Sequence, residues 1–227
     1  MSNFTDVVQS IEEGEISNLG DFISRNPDLL VQRDNSELTL LHLSAICGNI
    51  PASRILINNG AEIDCIDEVG NTPLIEASLR GNELLIELLL SKGANVNHVN
   101  NSSENSLSSA VAWVHYDAVE ILINGGADVN MRLVNGDTVL LHAIGKKATS
   151  IVDILINSGA DINAINDDGV SIISSAIQSR DSYIIRSTLN HPQFVKYNQR
   201  EYNRLLKNEE DVHREIEKLL SIGIRKQ

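Results

Sequence analysis

Residues 72–97 read TPLIEASLRGNELLIELLLSKGANVN, and their organisation decides the fold. Thr72 followed by Pro73 is a helix start, because a hydroxyl caps the open amides and a first-turn proline loses no hydrogen bond. A first apolar run ends at Gly81. A second, Leu84-Leu85-Ile86 then Leu88-Leu89-Leu90, keeps helical spacing up to Gly93, where a left-handed residue ends a helix. Working outward, the dipeptide Gly93-Ala94 recurs as Gly60-Ala61, Gly126-Ala127 and Gly159-Ala160, always 33 residues apart. The same period carries Leu41, Leu74, Leu107, Leu140 and Ile173 in one phase, and Thr39, Thr72, Thr138 and Ser171 in another. A small residue returns at Ser44, Ala77, Ala110, Ala143 and Ala176, where neighbouring helices must approach closely. The second helices carry aliphatic stripes at 55–57, 88–90, 121–123 and 154–156, which a single unit cannot bury but a stack of units can.

These motifs resemble the ankyrin-repeat family, in TLLHLS (39–44), TPLIEA (72–77), LLLSKGANVN (88–97), ILINGGADVN (121–130) and ILINSGADIN (154–163). The resemblance implies an all-α solenoid of helix pairs with β-turn fingers, a single domain over 1–227. Its expected parts are a degenerate capping repeat (1–33), about five repeats (34–66, 67–99, 100–132, 133–165, 166–193) and charged capping helices (194–227). Two units depart from the pattern. NSLSSA replaces the T-P-L-H-x-A motif in the third, with Val114 in the place of the glycine between its helices. The fourth reads TVLLHA, with Lys147 in that place. Unusual local geometry is expected there.

Composition narrows the function. The chain of 227 residues carries 31 acidic and 18 basic side chains, a net charge of −13, with lysines and arginines scattered. That field repels phosphate backbones, so nucleic acid is disfavoured, and a binding surface made of Arg80, Arg132, Lys146 and Lys147 is the weaker rival. Two separated cysteines, Cys47 and Cys65, suit a reducing compartment, and no signal peptide or membrane span is legible. A cytoplasmic protein is expected, or one delivered into a host cell if it is an effector.

No catalytic residues and no cofactor or metal site are expected. The histidines (His42, His98, His115, His142, His191, His213) lie in no ligand spacing, and His213 with Glu217 reads as a solvated helix face. His42 is expected to bond backbone in its loop, and Asn97, Asn130 and Asn163 to bond the turns that hold them.

The resemblance implies instead a protein partner, bound along finger tips and the exposed side of the first helices, which together make a concave groove. Trp113 is the expected anchor, flanked by Leu79, Arg80, Arg132 and Lys146, with Val69, Glu68, Val134 and Asp167 on the fingers. The exposed aliphatics Val69, Val99, Val134 and Ile165 read equally as partner surface and as packing between fingers. The acidic charge favours a basic partner, met by a monomer acting as an inhibitor, an immunity protein, an effector or a cytosolic scaffold.

Overall fold

In a computed structural model the described residues are 3–189 and 191–192; the expected capping helices at 194–227 lie outside them. Among the described residues there are 12 α-helices and no β-strand, only two isolated bridges. The chain forms two compact units, Met1–Asp128 and Val129–Gln227.

The first unit contains α1 (Phe4–Glu13), α2 (Leu19–Arg25), α3 (Leu40–Ile46), α4 (Ile50–Asn58), α5 (Pro73–Leu79), α6 (Glu83–Ser91), α7 (Ser106–Ala112) and α8 (Tyr116–Asn124). First helices stack on first helices, α1 on α3 on α5 on α7, and second helices on second, α2 on α4 on α6 on α8. The second unit repeats the arrangement with α9 (Val139–Gly145), α10 (Thr149–Asn157), α11 (Ile172–Ser179) and α12 (Ser182–Leu189).

The caps explain where these short helices begin. Thr39, Thr72, Thr138 and Ser171 each accept the amide three residues on, and Asn105 does so in the third pair, with Ser108 returning the bond. The stripe expected along each second helix is narrower than three residues. Its middle residue, Leu56, Leu89, Leu122 or Leu155, is wholly buried, while Ile55, Ile57, Leu90, Ile121, Ile123 and Ile154 are half-buried.

The turn inside each pair needs one left-handed residue. Gly48 and Gly81 supply it at φ 65° and 60°, and Val114, Lys147 and Arg180 take the same conformation at φ 60°, 55° and 55°. The departures at 114 and 147 therefore leave the turn's backbone path unchanged and store strain in it instead.

The unusual geometry lies in a finger. In four fingers an Asx side chain closes the turn: Asp34 Oδ1 accepts the amides of Ser36 and Leu38, Asp67 Oδ1 those of Val69 and Asn71, and Asn100 Oδ1 those of Ser102 and Glu104. Asn166 Oδ1 accepts that of Val170. The fourth finger has the buried Leu133 at this position, which offers no acceptor. There the chain tightens into a 3-10 turn, Val134–Gly136, with Asn135 left-handed.

Candidate functional site

Three positions recur every 33 residues on each first helix and its finger: the residue before the cap, and those four and eight after it. In the second pair they are Asn71, Glu76 and Arg80, and they form one hydrogen-bonded chain. Asn100, from the next finger, donates to Asn71 Oδ1 at 2.8 Å; Asn71 Nδ2 donates to Glu76 Oε1 at 2.9 Å; Arg80 Nη1 donates to Glu76 Oε2 at 2.6 Å. Glu76 is only 7% exposed, so its carboxylate relies on these donors rather than on water. Arg80, expected as an open cation, is committed to Glu76 within its own helix.

In the second unit the equivalent residues are Asp137, His142 and Lys146. Asn166, from the next finger, donates to Asp137 Oδ1 at 2.7 Å, and Asp137 Oδ2 lies 3.5 Å from His142 Nε2. The Lys146 side chain makes no hydrogen bond or ion pair with any described residue; only its backbone amide is engaged, by His142 O at 3.0 Å. The same scheme thus ends one residue short and leaves a free ammonium. A pocket of about 490 Å³ opens beside it, between α9, α11 and the fingers.

In the third pair the three residues are Glu104, Ser109 and Trp113. The hydroxyls of Ser106 and Ser109 are buried without a partner among the described residues. Trp113 caps α7 and stands 65% exposed, so it does not fill the space beside Val114. Around it Val114 and Tyr116 are also exposed, and no lysine or arginine occurs between Lys92 and Arg132.

The remaining expected residues divide between the units. In the first, Glu68 and Val69 are exposed on the second finger and Leu79 is half-buried. The fingers are tied by backbone bonds, Glu68 N to Ser36 O and Asn101 N to Val69 O, and Asn101 Nδ2 donates to Glu68 O. In the second, Val134 and Asp167 are exposed, and Asp167 N bonds Asn135 O. Arg132 is exposed, yet its guanidinium donates to Gly136 O at 2.8 Å and to Ile165 O at 2.9 Å, lacing two fingers together. Arg33 does the same in the first unit, to Glu37 O and Ile66 O. Arg132 is therefore a structural residue first, and the 99-residue spacing of the two arginines was the signal for it. Val69, Val99, Val134 and Ile165 remain between 43% and 54% exposed, so packing between fingers does not consume them.

One further expectation changes and one is extended. The side chains of Asn97 and Asn130 reach the following repeat: Asn97 Nδ2 donates to Gly126 O and its Oδ1 accepts Asp128 N, and Asn130 does likewise with Gly159 O and Asp161 N. His42 bonds backbone in its own loop as expected, Nδ1 accepting the Thr39 amide at 3.3 Å, and it also reaches the neighbouring finger, Nε2 donating to Asn71 O at 3.0 Å. Burial pushes its pKa down, against the pull of Asn71 O, Asp67 and Glu76. Cys65 lies beside it, and burial raises that thiol to about 11, away from the thiolate a nucleophile needs.

Among the described residues no cluster of His, Cys, Asp and Glu has the arrangement of a metal site, and no helix is long and apolar enough to cross a membrane. Charge is divided unevenly. Met1–Asp128 holds 19 acidic and 5 basic side chains, net −14, and Val129–Gln227 holds 12 and 13, net +1. Counting by halves would have found this in the sequence.

Stacked helix pairs with exposed fingers, built from a 33-residue period, define an α-helical repeat protein. A family model described as ankyrin repeats (3 copies) matches residues 10–100, 41–132 and 107–201, and the chain belongs to the ankyrin-repeat family. Ankyrin repeats are protein–protein interaction modules, and the family is generally non-catalytic. No curated protein matches the chain.

Proposed function

We propose that this protein is a non-catalytic recognition module that holds a basic partner protein in its concave groove, acting as a monomeric inhibitor of that partner in the cytoplasm. In this reading five repeats stand between a degenerate amino-terminal cap and carboxy-terminal capping helices. The observation that carries it is Trp113, a large aromatic left exposed on a helix end with no cation in the flanking sequence. Trp113 is exposed together with Val114 and Tyr116, and grouped exposed apolar side chains mark an interaction surface, while the indole face attracts lysine or arginine. The −14 charge of the unit that carries it adds long-range steering. Val69 and Leu79 supply apolar contact, and Glu68 a carboxylate for a basic side chain. On the second unit, taken by itself, Val134, Asp167 and Lys146 are the exposed residues offered to a partner.

The test is capture from native extract followed by binding of the purified partner. Trp113→Ala should weaken binding by about 2 kcal/mol, roughly 30-fold, with helicity unchanged. Affinity should also fall steeply between low and physiological ionic strength. A partner bound equally by the alanine variant, or with a flat salt response, overturns the assignment.

A further inference from the structure

The pocket on α9 has a composition that points to a ligand class. It exists because Gly145 stands where the other first helices carry Ile46, Leu79, Ala112 or Gln178; a Cβ added at Gly145 would meet no atom within 4 Å. Leu141 and Val170 give it apolar walls. Of its polar groups, Asp137 is already engaged, Oδ1 by Asn166 Nδ2 and Oδ2 facing His142 Nε2. Asn166 is engaged on both sides, since its Oδ1 accepts the Val170 amide. What remains uncommitted at the pocket among the described residues is the Lys146 ammonium, the Ser175 hydroxyl and His142 Nδ1, of which the first is a donor only and the second can donate. Unpaired donors beside a short apolar wall, with the Asp137 carboxylate turned to Asn166 and His142, complement an anionic group on a short aliphatic stem. The described residues of the surrounding unit are close to charge balance, six acidic against five basic side chains, and repel such a group far less than the first unit at −14.

We propose that this pocket receives an aspartate or glutamate side chain of the partner protein, its carboxylate on Lys146 and Ser175 and its methylenes against Leu141 and Val170. The proposal rests on the reading of the chain as a protein-recognition module and adds a second polarity to it. The partner is basic where it meets the first unit and presents one acidic residue to the second.

Random peptides displayed on phage and selected on the full chain test this. Selected peptides are made as carboxy-terminal amides, so that a side chain is the only carboxylate. Peptides should emerge that share an Asp or Glu, and replacing it by Asn or Gln should weaken binding at least tenfold. Gly145→Leu, which fills the pocket, and Lys146→Met, at an exposed position, should each do the same. Both variants should melt at or above the parent's temperature, which separates a blocked pocket from a lost fold. Peptides that lack an acidic residue, that are cationic, or that bind the Gly145→Leu chain unchanged overturn the proposal. If those peptides are weakened by Trp113→Ala, the recognition module stands and only the carboxylate pocket falls. If no peptide depends on any of the three residues, both readings fall.

Discussion

The second and fourth helix pairs use the same positions for opposite ends. In the second, Asn100, Asn71, Glu76 and Arg80 pass a hydrogen-bonded chain from the next finger to the helix end, and its two charged groups, Glu76 and Arg80, pair with each other. In the fourth, Asn166, Asp137 and His142 begin the same chain, but the 3.5 Å approach of His142 is weaker and Lys146 is left out. A buried carboxylate that completes such a chain contributes rigidity; a cation left outside one remains available to a partner. The difference predicts where substitutions will damage the fold and where they will damage binding.

The largest effect is expected at Glu76. Glu76→Ala leaves the Asn71 amide without its acceptor in a buried setting and frees Arg80, and should lower stability by about 2 kcal/mol. His142→Ala removes a side chain that is 39% exposed and should cost less than about 0.5 kcal/mol. Denaturant midpoints of the two variants measure the contrast. Equal losses would mean that the two chains are equally structural, and Lys146 would lose its claim to be the free cation.

The turns sharpen the comparison at a second set of positions. Gly81 is left-handed and its missing Cβ makes room for His115, whose imidazole would lie 2.6 Å from an added Cβ and whose Nε2 bonds Leu79 O. Gly81→Ala should therefore cost between about 1 and 2 kcal/mol from backbone conformation, with the displaced imidazole adding to it. At the equivalent Val114 a β-branched residue holds φ 60°, and Val114→Gly should stabilise by about 1 kcal/mol. Thermal unfolding of both variants checks the signs. A loss at Val114→Gly would show that its exposed side chain contributes more to folding than its backbone strain removes.

The fold was legible because a stack repeats its requirements: a cap, a small residue at the closest approach and a glycine after the second helix must each return every 33 residues. The site was legible only as far as single columns go. Trp113 could be placed on the exposed side of its helix from its column alone. The commitment of Arg80 depends on Glu76 being one turn before it and buried, and that of Arg132 on carbonyls of two fingers, neither of which a column reveals. The Asn97 and Asn130 bonds were missed for a related reason. A short polar side chain in a turn ordinarily serves that turn, and only the stacking of the next repeat brings a better partner within reach.

The smallest effect separates two histidines. His42 is wholly buried, with Nε2 on Asn71 O and Nδ1 on Thr39; His142 is half-exposed beside Asp137. Because burial lowers the His42 pKa below its ordinary 6.5, the unfolded chain takes up a proton at a higher pH than the folded one. The folded state should keep its full stability above pH 6.5 and lose it as pH falls from 6.5 towards the lowered folded pKa, where the loss levels off. Thermal midpoints measured from pH 8 to pH 5.5 should show this slope in the parent. Carboxylates titrate mostly below that window, so they do not mask it. His42→Gln keeps a polar side chain at the position without a group that titrates there, and its slope should be flatter whatever its absolute stability. Parallel slopes would remove His42 as the source.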